Sequence, residues 1–224
     1  MFSQSRFYAS FLFLTGIVSL VIADSAMADE ERAFPTTSFH SLGVSKDISV
    51  NVQCGAKPMV IAQGHEDVLD KLSLKNTRGK LLISNEGEDP GWFATKHLDI
   101  TVVTDKPLTS VEAKMGTNLT AVPCAISSDE LKVVGSMGAE IFVEGKVSNL
   151  DAHLSLGANF NNSDSLLDVE NANIDFSMGA NAYLCHAKRV TGSQEMGAAL
   201  YVGENTRYKI DQVMGAVVSY DGCW

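Results

Sequence analysis

The chain is 224 residues long, 45% hydrophobic, 20% charged and 8% aromatic, with 18 Gly, 5 Pro, 4 Cys and a formal charge of -10. This length and composition suit a globular protein able to bury a full core in one or at most two domains. With 27 acidic residues against 17 basic ones, it lacks the counter-charge that general nucleic-acid binding or attachment to an anionic membrane requires, so no nucleic-acid partner is expected.

Residues 1–28 read as an export signal. Arg6 is the single charge ahead of an apolar run from Phe7 to Ala23, and Ala26-Met27-Ala28 supplies the small-x-small pattern at which signal peptidases cut. The acidic Asp29-Glu30-Glu31 follows where a stop-transfer segment would carry bases, so no membrane span is expected after cleavage. Removal takes one base, Arg6, and one acid, Asp24, leaving the charge at -10. The expected location is the periplasm or the exterior. The remainder, 29–224, reads as a single domain, with an opening β segment to about residue 107 and six coils from 108 to 224.

In the opening segment, Ile48-Ser49-Val50-Asn51-Val52 alternates as a half-buried strand does, and Leu98 to Val103 alternates likewise before Pro107. Met59-Val60-Ile61 and Leu81-Leu82-Ile83 are short apolar runs, and Asn76-Thr77-Arg78-Gly79 has the composition of a hairpin connection. Glu66 to Leu74, with Val68, Leu69 and Leu72 three and four apart, predicts one short helix or turn, and nothing else reads as helix. Glu86 to Gly91 is the one linker-like stretch.

From residue 108 one phrase recurs: Lys114-Met115-Gly116-Thr117, Ser136-Met137-Gly138-Ala139, Ser155-Leu156-Gly157-Ala158, Ser177-Met178-Gly179-Ala180, Glu195-Met196-Gly197-Ala198 and Val213-Met214-Gly215-Ala216. Its glycines are 22, 19, 22, 18 and 18 residues apart, a period that suits a solenoid coil or a two-strand unit and is too short for helical-pair repeats. Five positions before the glycine stand Val111, Val133, Ala152, Ile174, Gly192 and Ile210, and three after it Leu119, Ile141, Phe160, Ala182, Leu200 and Val218. Period-two alternation makes these inward positions. By the same parity the Met or Leu before the glycine is expected inside as a packed internal ladder, in preference to a thioether site for Cu(I). The glycine is expected to mark a bend or close approach inside a continuous extended segment. Gly145, Gly203 and Gly222, six or seven residues later, would serve a second corner.

The opening Phe39-His40-Ser41-Leu42-Gly43-Val44, the Asp47 to Val52 strand, the Glu66-Asp67-Val68-Leu69-Asp70 turn, Gly79-Lys80-Leu81-Leu82-Ile83 and the repeated small-residue phrase together resemble the GIN-domain family, known as autotransporter adhesin head domains, over nearly all of residues 34 to 222. Family members carry a Ser-Gly-Ala-Gly type phrase, whereas here Met or Leu precedes the glycine and the second glycine is missing, as in a divergent branch. The resemblance implies an all-β, right-handed parallel β-helix-like solenoid, with no known catalytic residues.

Two residues after each glycine come Asn118, Glu140, Asn159 and Asn181, then Ala199 and Val217; stacked coils would align the first four as an exposed ladder able to hold a glycan or another extended polar polymer. Parallel β-helices also host polysaccharide lyases and hydrolases, which need stacked carboxylates. Asp151, Asp164, Asp168, Asp175, Asp211 and Asp221 are read as falling at different offsets from the glycine, and the five His (40, 65, 97, 153, 186) at unrelated places, so no catalytic, cofactor or metal residues are assigned. The terminal Tyr220-Asp221-Gly222-Cys223-Trp224 ends as outer-membrane barrels do, but the chain lacks aromatic girdles.

Cys54, Cys124, Cys185 and Cys223 permit disulfides with three connectivities, and none of their spacings suits zinc. Cys185 and Cys223 lie two coils apart, roughly 10 Å in a stack and beyond the span of a disulfide unless the tail folds back. Cys124 ends the first coil beside the opening segment, which favours Cys54 with Cys124 and leaves Cys185 with Cys223. The expectation is an exported, non-catalytic binding or adhesion module of the bacterial envelope. Its partner would be a surface glycan or an envelope protein. A polysaccharide-cleaving β-helix and a structural protein assembling end to end as a homo-oligomer are the alternatives.

Overall fold

A computed structural model describes residues 29–87 and 98–223. The segment read as an export signal, the greater part of Glu86–Gly91 and Trp224 lie outside the described residues.

The chain lays down β1 (Glu30–Pro35), β2 (Ser41–Ser45), β3 (Ser49–Cys54) and β4 (Met59–Gly64), then a single helical turn α1 (Glu66–Leu69), the hairpin of β5 (Leu72–Thr77) and β6 (Lys80–Asn85), and β7 (Leu98–Thr104). Six strand pairs follow, each divided by one copy of the repeated phrase: β8 (Ser110–Lys114) and β9 (Asn118–Ala121), β10 (Glu130–Ser136) and β11 (Glu140–Val143), β12 (Gly145–Leu154) and β13 (Asn159–Phe160). The last three pairs are β14 (Leu167–Phe176) and β15 (Asn181–Leu184), β16 (His186–Gln194) and β17 (Ala199–Val202), β18 (Arg207–Gln212) and β19 (Val217–Ser219).

The first strand of each pair enters a nine-stranded sheet, β18-β16-β14-β12-β10-β8-β2-β6-β5, and the second a ten-stranded sheet, β1-β4-β7-β3-β9-β11-β13-β15-β17-β19. The result is an all-β solenoid flattened into two facing sheets. Every ladder from β8 onward is parallel, as in β12 with β14, where Ala152 pairs with Ile174 and Leu154 with Phe176. The N-terminal end is built differently. β2 lies between β6 and β8 and β3 between β7 and β9, all parallel, so the first coil of the chain is internal to the stack. Antiparallel β5–β6, β4–β7 and β1–β4 then close that end.

Alternation puts Val111, Val133, Ala152 and Ile174 from one sheet, and Leu119, Ile141, Phe160, Ala182 and Leu200 from the other, into a single buried cluster continuous with Leu42, Val50, Val60 and Ile100 of the N-terminal strands. The hydrophobic effect on this sandwiched layer is the dominant stabilising term.

The repeated phrase is a corner, and here the parity argument fails. Met115, Met137, Leu156, Met178, Met196 and Met214 have φ between 51° and 56°, and the glycines after them φ between 70° and 77°. Two successive left-handed residues make a type I′ turn, closed in five copies by a hydrogen bond from the residue after the glycine to the residue before the Met or Leu, as in Ala180 N–H to Ser177 O at 3.2 Å. Strand parity holds on either side of such a turn, from Val111 to Leu119 for example, but not for the two residues inside it. The Met and Leu side chains therefore point out, 40% to 73% exposed, and the inward column resumes at Thr117, Ala139, Ala158, Ala180 and Ala198. Left-handed backbone costs an L residue other than Gly roughly 1–2 kcal/mol, so glycine at the second position relieves strain that the residue before it retains. The same turn, with Arg78 and Gly79 at φ 53° and 76°, joins β5 to β6.

The structure joins Cys54 to Cys124 with Cα atoms 6.1 Å apart, and Cys185 to Cys223 with Cα atoms 5.2 Å apart. The second bond draws the tail back over the outer face of the ten-stranded sheet, where a Cβ on Gly222 would come within 3.4 Å of Tyr183 and 3.6 Å of Tyr201. At the far end β18 and β19 have one neighbour each among the described residues. Ile210 and Val218, in columns buried elsewhere, are only partly covered there, and Tyr208 is 41% exposed.

Candidate functional site

Each sheet offers solvent a flat outer face on which parallel pairing lines up side chains from successive coils about 4.8 Å apart. On the ten-stranded sheet, Asn118 pairs with Glu140, Glu140 with Asn159 and Asn159 with Asn181, so these four side chains stand in one row. Asn181 Nδ2 donates to Asn159 Oδ1 at 3.1 Å, the rung-to-rung bond that stacked amides make. Beyond Asn181 the row turns apolar at Ala199 and Val217.

In the other direction the row continues through residues the repeat does not mark. Asn118 pairs with Ser49, Ser49 with Asp99, Asp99 with Gln63 and Gln63 with Glu31. These side chains, with Asn51, Thr101 and Thr120 of the adjacent row, line a shallow depression of about 380 Å³. The lining is rich in carboxylate, amide and hydroxyl groups, a set that can both donate to and accept from a polar ligand. Strand pairing between distant parts of the chain brings the carboxylates Asp99 and Glu31 into line, and no local spacing foretells it.

The outer face of the nine-stranded sheet carries three rows. One contains Glu130, Asn149, Asn171, Arg189 and Arg207; the next Ser110, Lys132, Asp151, Asn173, Thr191 and Lys209; the third Glu112, Val134, His153, Asp175, Ser193 and Asp211. The expectation that the aspartates fall at unrelated offsets is thereby corrected. Asp175 and Asp211 share a row, separated by Ser193, because both stand four residues before their glycine. Asp164 and Asp221 lie in turns, and Asp168 pairs with His186.

Asp151 is the centre of the second and third rows. It accepts from Asn173 Nδ2 at 3.1 Å, lies 3.0 Å from His153 Nε2 and forms an ion pair with Lys132 at 3.4 Å, while His153 Nδ1 lies 3.7 Å from Asp175. Partial burial opposes ionisation of Asp151, but the bonds from Asn173, His153 and Lys132 prevail and hold its carboxyl below the usual range. The neighbouring row is tied by Arg189 Nε to Asn171 Oδ1 at 2.7 Å and by Asn171 Nδ2 to Asn149 Oδ1 at 3.3 Å. These donors and acceptors largely satisfy one another. The ten-stranded face leaves more of its polar atoms free for a ligand.

No group of three or more His, Cys, Asp or Glu side chains able to hold a metal ion occurs among the described residues. Among the same residues no helix is long and apolar enough to cross a membrane.

Residues 38–205, which include every coil but the last, match the family described as "Putative auto-transporter adhesin, head GIN domain". The chain belongs to this family. Among solved structures, this GIN-domain chain is similar to "a putative adhesin" from Bacteroides fragilis, with 11% identity and a TM-score of 0.56 over 85% of this chain and 96% of that one. It is similar also to "a putative adhesin" from Parabacteroides merdae, with 11% identity and a TM-score of 0.48 over 85% and 95% of the two chains. At such identity the first likeness speaks for the fold. No curated protein matches the chain.

Proposed function

We propose that the protein is an exported adhesion module that holds an extended polar polymer, a surface glycan above all, along the outer face of the ten-stranded sheet. The observation that carries this reading is the single row from Glu31 through Gln63, Asp99, Ser49 and Asn118 to Asn181, which presents carboxylate, amide and hydroxyl groups at the regular spacing of the rungs. The family description and the sequence of residues 1–28 support it. A flat ladder binds by many weak, repeated hydrogen bonds, so affinity is expected to grow with polymer length.

Co-sedimentation with a panel of bacterial and plant polysaccharides, scored together with release of new sugar ends, tests the reading. Retention without new ends is the expected result, weakened by N159A/N181A and by D99N/N118A. Retention that neither double variant weakens would move the site off this face, and new sugar ends would replace the binding module by an enzyme. A second reading, end-to-end self-association, draws on the open edge of β18 and β19 with Val213, Met214 and Val217 exposed beside it. It predicts a sedimentation coefficient that rises with protein concentration.

A further inference from the structure

The exposed corner residues ask for an explanation that the polar rows do not supply. Met115, Met137, Leu156, Met178, Met196 and Met214 occupy equivalent positions, and hydrogen bonds from each glycine N–H to the carbonyl of the next corner, such as Gly179 to Met196 and Gly197 to Met214, hold the corners in register. Their left-handed backbone favours Gly, Asn or Asp, and disfavours an apolar side chain. Packing does not compensate, because each of these residues is at least 40% exposed. The property the corner retains is chemical: five of the chain's eight methionines stand in one solvent-facing column.

A thioether is a neutral, polarisable ligand that selects soft cations such as Cu(I) over zinc, calcium or magnesium. Met178, Met196 and Met214 occupy three successive rungs, about 4.8 Å apart. With metal–sulfur bonds of about 2.3 Å, one ion can bridge sulfurs on neighbouring rungs, and the unbranched Met side chain has the torsional freedom to bring them in. The surrounding charge favours this end of the column. Exposed Glu195 directly precedes Met196, whereas Lys46 occupies the corner position before Met115 and Lys114 adjoins it, and Leu156 breaks the column between the two groups. Cysteine does not compete, since all four are in disulfides.

We propose that Met178, Met196 and Met214 form a surface site for a soft monovalent cation, Cu(I) or its analogue Ag(I). This site is distinct from the polar row and does not depend on it.

The test is titration of the purified protein with Ag(I) in chloride-free buffer, following the methionine methyl resonances by NMR and the bound metal after gel filtration. The expected result is saturable uptake, with the methyls of Met178, Met196 and Met214 shifting first and that of Met59, outside the column, unmoved. M178L/M196L/M214L is expected to lose the uptake and keep its far-UV circular dichroism, because Leu156 already sits in the same corner; L156M is expected to increase uptake. Corner methyls unmoved at stoichiometric Ag(I), or a triple Leu variant that retains metal as the unsubstituted protein does, would overturn the proposal. The methyl readout needs no variant to fold.

Discussion

Two glycines in neighbouring positions of the stack should respond very differently to a single added methyl. Gly179 is the second residue of an exposed corner, φ 72°, and a Cβ built there meets nothing within 4 Å. Gly192 lies inside β16, φ 133°, paired with Ile174 of β14 on one side and Ile210 of β18 on the other, and a Cβ there would stand 1.9 Å from the carbonyl oxygen of Ile174. For G179A the cost is the left-handed backbone alone, roughly 1–2 kcal/mol, reduced by about 0.4–1 kcal/mol because alanine restricts the unfolded chain. A net loss of around 1 kcal/mol follows. For G192A, backbone strain of about 1–3 kcal/mol adds to an overlap that only a shift of the β14 or β16 backbone can relieve, at the expense of ladder hydrogen bonds. A loss above about 4 kcal/mol is therefore expected, in the class of exceptional single substitutions. Urea denaturation of both variants, monitored by far-UV circular dichroism, measures the difference. Equal midpoints for G179A and G192A would refute the assignment of one glycine to a corner and the other to a close approach between strands.

Gln194 is buried with neither side-chain nitrogen nor oxygen bonded, in a column that otherwise holds residues such as Leu154 and Phe176, so Q194L should stabilise the protein by about 1–3 kcal/mol and raise its melting temperature. Removing either disulfide, as C54S/C124S or C185S/C223S, should cost about 2–5 kcal/mol in chemical denaturation, and the latter should also expose Tyr183 and Tyr201 to solvent, seen as a change in tyrosine fluorescence. Burial opposes ionisation of Glu112, but Lys114 and Lys80 overcome it and hold its carboxyl below the usual range. A depressed folded value means that this stabilisation is present above the ordinary glutamate value of about 4.3 and is lost as pH falls through the lower one. E112Q should accordingly flatten the acid limb of a stability-against-pH curve; an unchanged limb would remove Glu112 from its causes.

Much of the architecture is written in local pattern. Ile48 to Val52, Leu81 to Ile83 and Leu98 to Val103 are strand cores, and Arg78-Gly79 turns the β5–β6 hairpin, because alternation and left-handed turn residues act over a few positions. The helix is shorter than its apolar spacing implies: Leu72 and Leu74 leave it for β5, where Leu74 pairs with Ile83. β1 has no apolar alternation to announce it, and it exists because β4 offers an edge. The Met residues were misplaced by parity counted through a turn whose left-handedness only Gly betrays. The polar row was legible from Asn118 to Asn181, where the glycine gives the register, and lost beyond it, where register depends on β2 and β3 lying between strands from either side. The rows of the opposite face were within reach, since Lys132, Asp151 and Asn173 all stand six residues before their glycine.

The two ends of the stack are unlike, and this makes the protein extensible in one direction. Near the N-terminus β2 and β3 are gripped on both sides, and an inserted coil would have to part strands that neighbours far along the chain hold in place. From β8 onward each coil pairs its strands only with the coil before and the coil after, so outside the span that the Cys185–Cys223 bond closes, a duplicated segment of some twenty residues can be threaded in with the remaining strand pairing preserved in kind. The architecture thus permits the exposed faces to lengthen or shorten by whole coils, like a ruler cut at its marks, while the closed N-terminal end stays as it is.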